Sequence, residues 1–175
     1  MFNKFTLECN EIAAVREFEI LQKLSGHENV LKATEFVRGN GKIRIPRNIQ
    51  KDEYDTLYKY RTGVEKDVKA SYLLMELCKQ DLFDFIIKNG KAPNESFAKY
   101  IFRDICAGVE ALHTTAGYAH LDIKLENFLI GNDYKLKICD FGFAQDVNER
   151  ITKKFGTESY MAPEIESLRA QGETY

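Results

Sequence analysis

From His120 to Gly142 the chain reads HLDIKLENFLIGNDYKLKICDFG, and no other stretch restricts its fold as strongly. Two short apolar runs, NFLI and KLKI, flank the turn-forming GNDY, so a strand, a turn and a second strand are predicted here. His120, Asp122, Lys124 and Asn127 crowd directly before the first strand, which can hold them rigidly. One carboxylate, one ammonium and one amide in such close company suit phosphate and metal chemistry.

The rest of the chain supplies elements around that hairpin. Asn10 caps a predicted helix that runs through Leu24, with Ala14, Phe18 and Leu21 at helical spacing, before SGHEN breaks the pattern. VLKATEFV and SYLLMEL are rich in apolar and β-forming residues and predict two strands that can pair across the polar segment from Arg38 to Ala70. Asp81 to Asn89, followed by Gly90, predicts a short capped helix. Asn94 caps a longer one whose apolar face is Phe97, Ile101, Ile105, Val109 and Leu112. Helix and strands, then helices, then a hairpin carrying polar loops give an α+β arrangement in two lobes, with a hinge near MELCKQ.

Composition narrows the classes of function. The 175 residues, 44% hydrophobic and 30% charged, are sized for about one domain with a real core. A net charge of -2 gives no overall basic field, so neither nucleic acid nor an anionic membrane is an expected partner. Cys9, Cys78, Cys106 and Cys139 are widely spaced with no C-x-x-C pair, which points to neither a zinc site nor a disulfide framework and fits a reducing, cytoplasmic location. No apolar run approaches membrane-spanning length.

Three pieces then fall in a telling order: HLDIKLEN, CDFG at Cys139 to Gly142, and GTESYMAPE ending at Glu164. Together they resemble the eukaryotic protein kinases of the Ser/Thr type. The resemblance implies an α+β, two-lobed kinase-like fold, ATP and Mg²⁺ as cofactors, and phosphoryl transfer to Ser or Thr hydroxyls of protein substrates. On it, Asp122 orients the acceptor hydroxyl and takes its proton, Asn127 and Asp140 hold the metal ions, and Lys124 neutralises charge on the transferring group. VREFEILQKLSGHENV resembles the family's αC helix, with Glu17 as the glutamate that pairs with a strand lysine and Glu19 as runner-up. YLLMELCKQDL resembles the hinge, with Met75 as gatekeeper and the backbone of Glu76 to Cys78 as the adenine edge. Asp81 is then expected near the ribose or a basic substrate residue, and Leu129 in the apolar adenine floor. Lys124 with Thr157 matches the Ser/Thr branch, and Glu126 with Asp81 would favour basic residues N-terminal to the target. Cys139 would border the nucleotide pocket.

The chain also departs from the pattern. Leu121 stands where the family carries an arginine that pairs with a phosphorylated activation-loop residue, so Thr152, the phosphosite expected between Asp140 and Ala162, should have reduced influence. No glycine-rich loop precedes MFNKFTLECN, and Lys4 lacks the apolar-Ala-apolar-Lys setting of the nucleotide lysine, so it reads as an exposed lysine. The resemblance thus implies a partial domain, truncated at both ends: residues 1–77 as the remainder of the small lobe with a solvated polar insertion at about 38–70, and residues 78–175 as the hinge and first part of the large lobe. Tyr54, Tyr58 and Tyr60 lie in that insertion as a candidate docking element. The competing readings are a pseudokinase or scaffold that acts by protein binding, and a small-molecule kinase, which DFG, GTESY and APE disfavour.

Overall fold

The computed structural model describes residues 2–7, 11–44, 65–90, 93–151 and 154–171; Cys9, Tyr54, Tyr58, Tyr60 and Thr152 lie outside them. The small lobe is a three-stranded antiparallel sheet of β1 (Phe2–Leu7), β2 (Ala33–Arg44) and β3 (Glu65–Met75), in the order β1-β3-β2, packed against α1 (Glu11–Lys23). The buried stripe of α1 is Ala14, Glu17, Ile20 and Leu21, continued by Leu24, which is the three-to-four-residue period of a helix face. Phe18 of α1 stacks on Phe36 of β2 at 5.8 Å between ring centroids.

Two features of this lobe differ from the sequence reading. The sequence pattern predicts no element at β1, which lies directly before α1 with Lys4 opposite Leu73 and Phe2 opposite Met75. Six residues with no clean alternation become a strand because a long-range partner supplies the backbone hydrogen bonds. The polar segment also starts later and ends earlier than expected, since β2 and β3 stay paired from Arg38 opposite Ser71 out to Arg44 opposite Glu65. An antiparallel ladder is closed by backbone groups, so a polar sequence can continue it.

The large lobe begins at β4 (Gln80–Asp81) and α2 (Leu82–Asn89), followed by α3 (Glu95–Ala111). Both caps fall where the sequence puts them: Asp81 Oδ1 accepts the Asp84 N–H at 2.7 Å and Asn94 Oδ1 accepts the Phe97 N–H at 2.9 Å. Gly90 ends α2 in the left-handed region with φ 62. A π-helical turn, Leu112–Ala116, extends α3 and leads to β5 (Tyr118–Ala119). The predicted hairpin is β6 (Phe128–Ile130) and β7 (Leu136–Ile138), with β4 on its edge; β8 (Gln145–Asp146) pairs with β5, and α4 (Pro163–Gln171) closes the described chain. Among the described residues no helix is long and apolar enough to cross a membrane.

The lobes share one core. The connection after α1 runs beside β7, with Leu31 N donating to Ile138 O at 3.0 Å and Ile138 N to Asn29 O at 2.9 Å. Buried Asn29 also donates its side-chain Nδ2 to Leu136 O at 2.9 Å. A Cβ on Gly108 of α3 would sit 2.7 Å from Asn29 O, so α3 needs a glycine to approach so closely. Ile20, Leu24 and Val30 from one side and Leu112, Ile138 and Phe141 from the other lie in the same buried cluster. Helix α1 and the site-bearing hairpin are thereby held against one packed interior, which deforms little.

Candidate active site

The segment before β6 folds back on itself so that three side chains converge on Asp122. Asn127, last residue of a 3₁₀ turn over Leu125–Asn127, donates Nδ2 to Asp122 Oδ2 at 3.1 Å and to the Asp122 carbonyl at 2.7 Å. Lys124 Nζ lies 3.0 Å from Asp122 Oδ2. The other carboxylate oxygen, Oδ1, accepts both the backbone N–H and the hydroxyl of Thr157, each at 2.8 Å. Lys124 also donates to Thr157 Oγ1 at 2.8 Å, which closes a ring of the three groups. Asp122 itself is 5% exposed. Burial by itself would raise its pKa, but hydrogen bonds from Thr157, Lys124 and Asn127, with the Lys124 charge, outweigh that and hold the carboxyl below its ordinary value.

His120 fixes the loop from beneath. It is 2% exposed, its Nδ1 accepts the Asp122 N–H at 3.2 Å, and its Nε2 faces the Cys139 carbonyl at 2.9 Å. An acceptor at Nδ1 and a carbonyl at Nε2 together require the neutral tautomer with its proton on Nε2. Burial pushes the His120 pKa down in the same sense, against a smaller opposing pull from the Cys139 hydrogen bond. The ring also packs on buried Phe141 at 5.4 Å.

Cys139 is the strut between the two polar loops. Its N–H donates to the Asn127 carbonyl at 3.0 Å while its own carbonyl takes His120. The next residue, Asp140, is exposed and left-handed with φ 63, and its Oδ1 accepts the Gly142 N–H at 3.4 Å at the head of the 3₁₀ turn Phe141–Phe143. Helix α1 packs on that turn, and Arg16 donates to the Ala144 carbonyl at 3.1 Å.

The other predicted residues take separate positions. Glu17 is buried on α1 at 2% exposure, whereas Glu19 is exposed. Met75 is buried in the shared core, and Glu76 N–H donates to Lys32 O at 2.9 Å. Cys78 is buried, and burial followed by the Glu76 charge pushes its thiol up to about 11. Leu129 pairs across strands with Asp81 and with Lys137. Asp81 caps α2 through its Oδ1. Lys4 lies in β1, where only its backbone register is described.

Gly156 escaped the sequence reading. It has φ +96, and a Cβ there would fall 2.3 Å from the Leu121 carbonyl oxygen and 3.4 Å from Asp122 Oδ1. Its signal was visible only as the first letter of GTESY, since a close approach to a loop 35 residues away leaves no local pattern. Leu121 is itself left-handed with φ 62, a conformation that costs a non-glycine residue about 1–2 kcal/mol. Among the described residues no group of three or more His, Cys, Asp or Glu is arranged to hold a metal ion.

Comparison with known proteins agrees with this geometry. Residues 2–174 match the protein kinase domain family. The chain is 31% identical over 169 residues to the membrane-associated tyrosine- and threonine-specific cdc2-inhibitory kinase of Drosophila melanogaster, covering 94% of this chain and 25% of the relative. It is 35% identical over 111 residues to the serine/threonine-protein kinase PLK4 of Xenopus tropicalis, covering 61% of this chain and 12% of that protein. The mitogen-activated protein kinase mpkC of Emericella nidulans is 34% identical over 123 residues, with 70% and 28% covered. Among solved structures, the yeast RNA Pol II CTD kinase CTDK-1 complex superposes with a TM-score of 0.63 at 25% identity, over 93% of this chain and 45% of that one. The chain thus spans under a third of the length of these three curated relatives. With the family matched over residues 2–174 of this chain, and the Asp122 loop joined to the GTESY segment at one carboxylate and to the Asp140 turn through His120 and Cys139, the chain belongs to the protein kinase domain family.

Proposed function

We propose that this chain carries the phosphoryl-transfer site of a protein Ser/Thr kinase, moving the γ-phosphoryl group of ATP to a protein hydroxyl. The observation that carries the reading is the ionised, anchored Asp122 carboxylate. Lys124, Asn127 and Thr157 orient both of its oxygens, so an acceptor hydroxyl that displaces one of these donors would meet a proton acceptor already fixed in direction. Lys124 supplies a positive charge next to the same point, where negative charge on a transferring group needs neutralising. His120, neutral and wedged under the loop, keeps the Asp122 backbone in register.

The donor set suits magnesium, which usually takes one or two protein oxygens and keeps its other positions for water and phosphates. With Nδ2 of Asn127 committed to Asp122, its amide oxygen is the group that can ligate, and Asp140 offers an exposed carboxylate on the loop tied to Asn127 through Cys139. Asn127 and Asp140 would hold the ion there, and its positive charge would offset that of the nucleotide phosphates. Asn127 and Asp140 orient that arrangement, and the Cys139 strut keeps them in step.

Nucleotide would enter over Leu129, with the base edge read by the backbone of Glu76 to Cys78. In place of the exposed lysine expected from the sequence, Lys4 is proposed as the nucleotide lysine, because its backbone sits opposite Leu73 in the strand directly before the helix that carries Glu17. The relatives' names support protein substrates, and the Ser/Thr preference rests on the resemblance of Lys124 and Thr157 to the Ser/Thr branch of the family. Calorimetric titration with ADP tests the reading: binding should need Mg²⁺, and Asp140→Asn or Lys4→Met should weaken it at least tenfold. Binding that ignores Mg²⁺ and both substitutions would refute it.

A further inference from the structure

Lys137 of β7 is only 8% exposed and has no contact with the Asp122 cluster. Its Nζ lies 3.3 Å from the Glu28 carbonyl, 3.5 Å from Glu76 Oε1 and 3.4 Å from Asp133 Oδ2. The same Glu76 oxygen accepts the Lys32 N–H at 2.7 Å, while the Glu76 N–H donates back to Lys32 O at 2.9 Å. One ammonium therefore joins three segments far apart in sequence: the connection after α1, the crossing at 76–79 between the lobes, and the β6–β7 turn.

The turn holds the crossing at two more points. Asn132 Nδ2 donates to the Leu77 carbonyl at 3.0 Å, and Lys79 N–H donates to Ile130 O at 2.8 Å. The path of the lysine stem is also built into the turn: a Cβ on Gly131 would meet Lys137 Cε at 2.6 Å and Asp133 Oδ1 at 2.4 Å. Gly131 has no positive φ, so the glycine serves space and not backbone freedom. A buried ammonium is tolerated when opposite charges and carbonyls replace its water, and Glu76, Asp133 and Glu28 O do so here.

We propose that Lys137 is a positioning residue for the nucleotide: through Glu76 it locks the 76–78 backbone at one distance from the β6–β7 floor, so that the adenine edge is formed before the nucleotide arrives. This rests on the nucleotide-binding reading above. Preorganisation of this kind acts on affinity, because a crossing free to move must be ordered on binding. It leaves the Asp122 chemistry alone, since no contact of Lys137 reaches that loop.

The test uses the full chain in three forms: wild type, Lys137→Met, and Gly131→Ala, which keeps the charge and pushes the stem aside. Amide hydrogen exchange without nucleotide should be about tenfold faster at Lys32 and Glu76, whose N–H groups bond each other's segments, in Lys137→Met, and faster by a smaller factor in Gly131→Ala. The Kd for Mg-ADP should rise about tenfold in Lys137→Met, with kcat at saturating ATP within twofold of wild type. Lys137→Arg should recover most of the affinity. Unchanged exchange in both variants overturns the clamp, and faster exchange with an unchanged Kd overturns its role in nucleotide binding. A wild-type chain that binds no ADP overturns the reading of the site itself, while the exchange arm still judges the clamp. Should Lys137→Met fail to fold, Gly131→Ala and Glu76→Gln decide both arms.

Discussion

Gly156→Ala separates backbone strain from disruption of the site, because Gly117 offers a matched control. Both glycines are left-handed, with φ +96 at Gly156 and +77 at Gly117, and an alanine at either pays about 1–2 kcal/mol of conformational strain. Around a Cβ on Gly117 there is nothing within 4 Å, so strain is the whole effect. At Gly156 the same Cβ would lie 2.3 Å from Leu121 O, backbone that cannot swing aside, and relief requires residues 154–157 to draw away from the Asp122 loop. That movement stretches the two 2.8 Å hydrogen bonds from Thr157 to Asp122 Oδ1. A hydrogen bond to a charged group contributes about 1.5–3 kcal/mol net, and water will replace part of what is lost at half-buried Thr157. We expect a destabilisation of about 1 kcal/mol for Gly117→Ala and about 3 kcal/mol for Gly156→Ala. Urea unfolding gives the first comparison, and kcat for a Ser/Thr peptide the second: Gly117→Ala should match wild type, and Gly156→Ala should fall at least tenfold. Equal stability and equal kcat for the two variants would refute the close approach of Gly156 to the Asp122 loop.

Other consequences are more direct. His120 binds its proton less tightly in the folded chain than in the unfolded one, so the unfolded state gains protons first; stability should be full above pH 6.5 and fall as pH drops below it, and His120→Phe should flatten that slope in pH-dependent unfolding. Asp122 adds the same sign at lower pH, with stability lost as pH falls below 3.8. Thr157→Val removes the hydroxyl between Asp122 and Lys124 and should lower kcat/KM about tenfold, an effect of charge-assisted hydrogen bonds that Thr157→Ser should largely spare. Since Leu121 cannot bind a phosphate, Thr152→Ala should leave the peptide kinase rate within about threefold of wild type, and phosphatase treatment should change it equally little.

The strongly local features were legible from the sequence alone. Asn94 and Asp81 cap helices because a short polar side chain before an apolar period has one favourable use, and both bonds are present. GNDY turns between NFLI and KLKI at residues 131–134, as read. Asp122, Lys124 and Asn127 were joined by order and resemblance, whereas Thr157 read only as a mark of the Ser/Thr branch, since no local signal says that it crosses 35 residues to meet Asp122. What stayed hidden depends on distant partners: β1 exists through its pairing with β3, Gly156 through the Leu121 carbonyl, and the Lys137 contacts through three segments that only the fold assembles.

The central claim is that Asp122 is the proton acceptor of a phosphoryl transfer. Rapid-quench measurement of single-turnover transfer from radiolabelled Mg-ATP to a Ser/Thr peptide, with wild type and Asp122→Asn at matched nucleotide saturation, tests it most directly. The account predicts transfer by wild type, a loss of about 10²–10⁴-fold in Asp122→Asn, and Mg-ADP affinity unchanged within threefold. Equal rates in the two proteins, or no transfer by wild type that binds Mg-ATP, would contradict it.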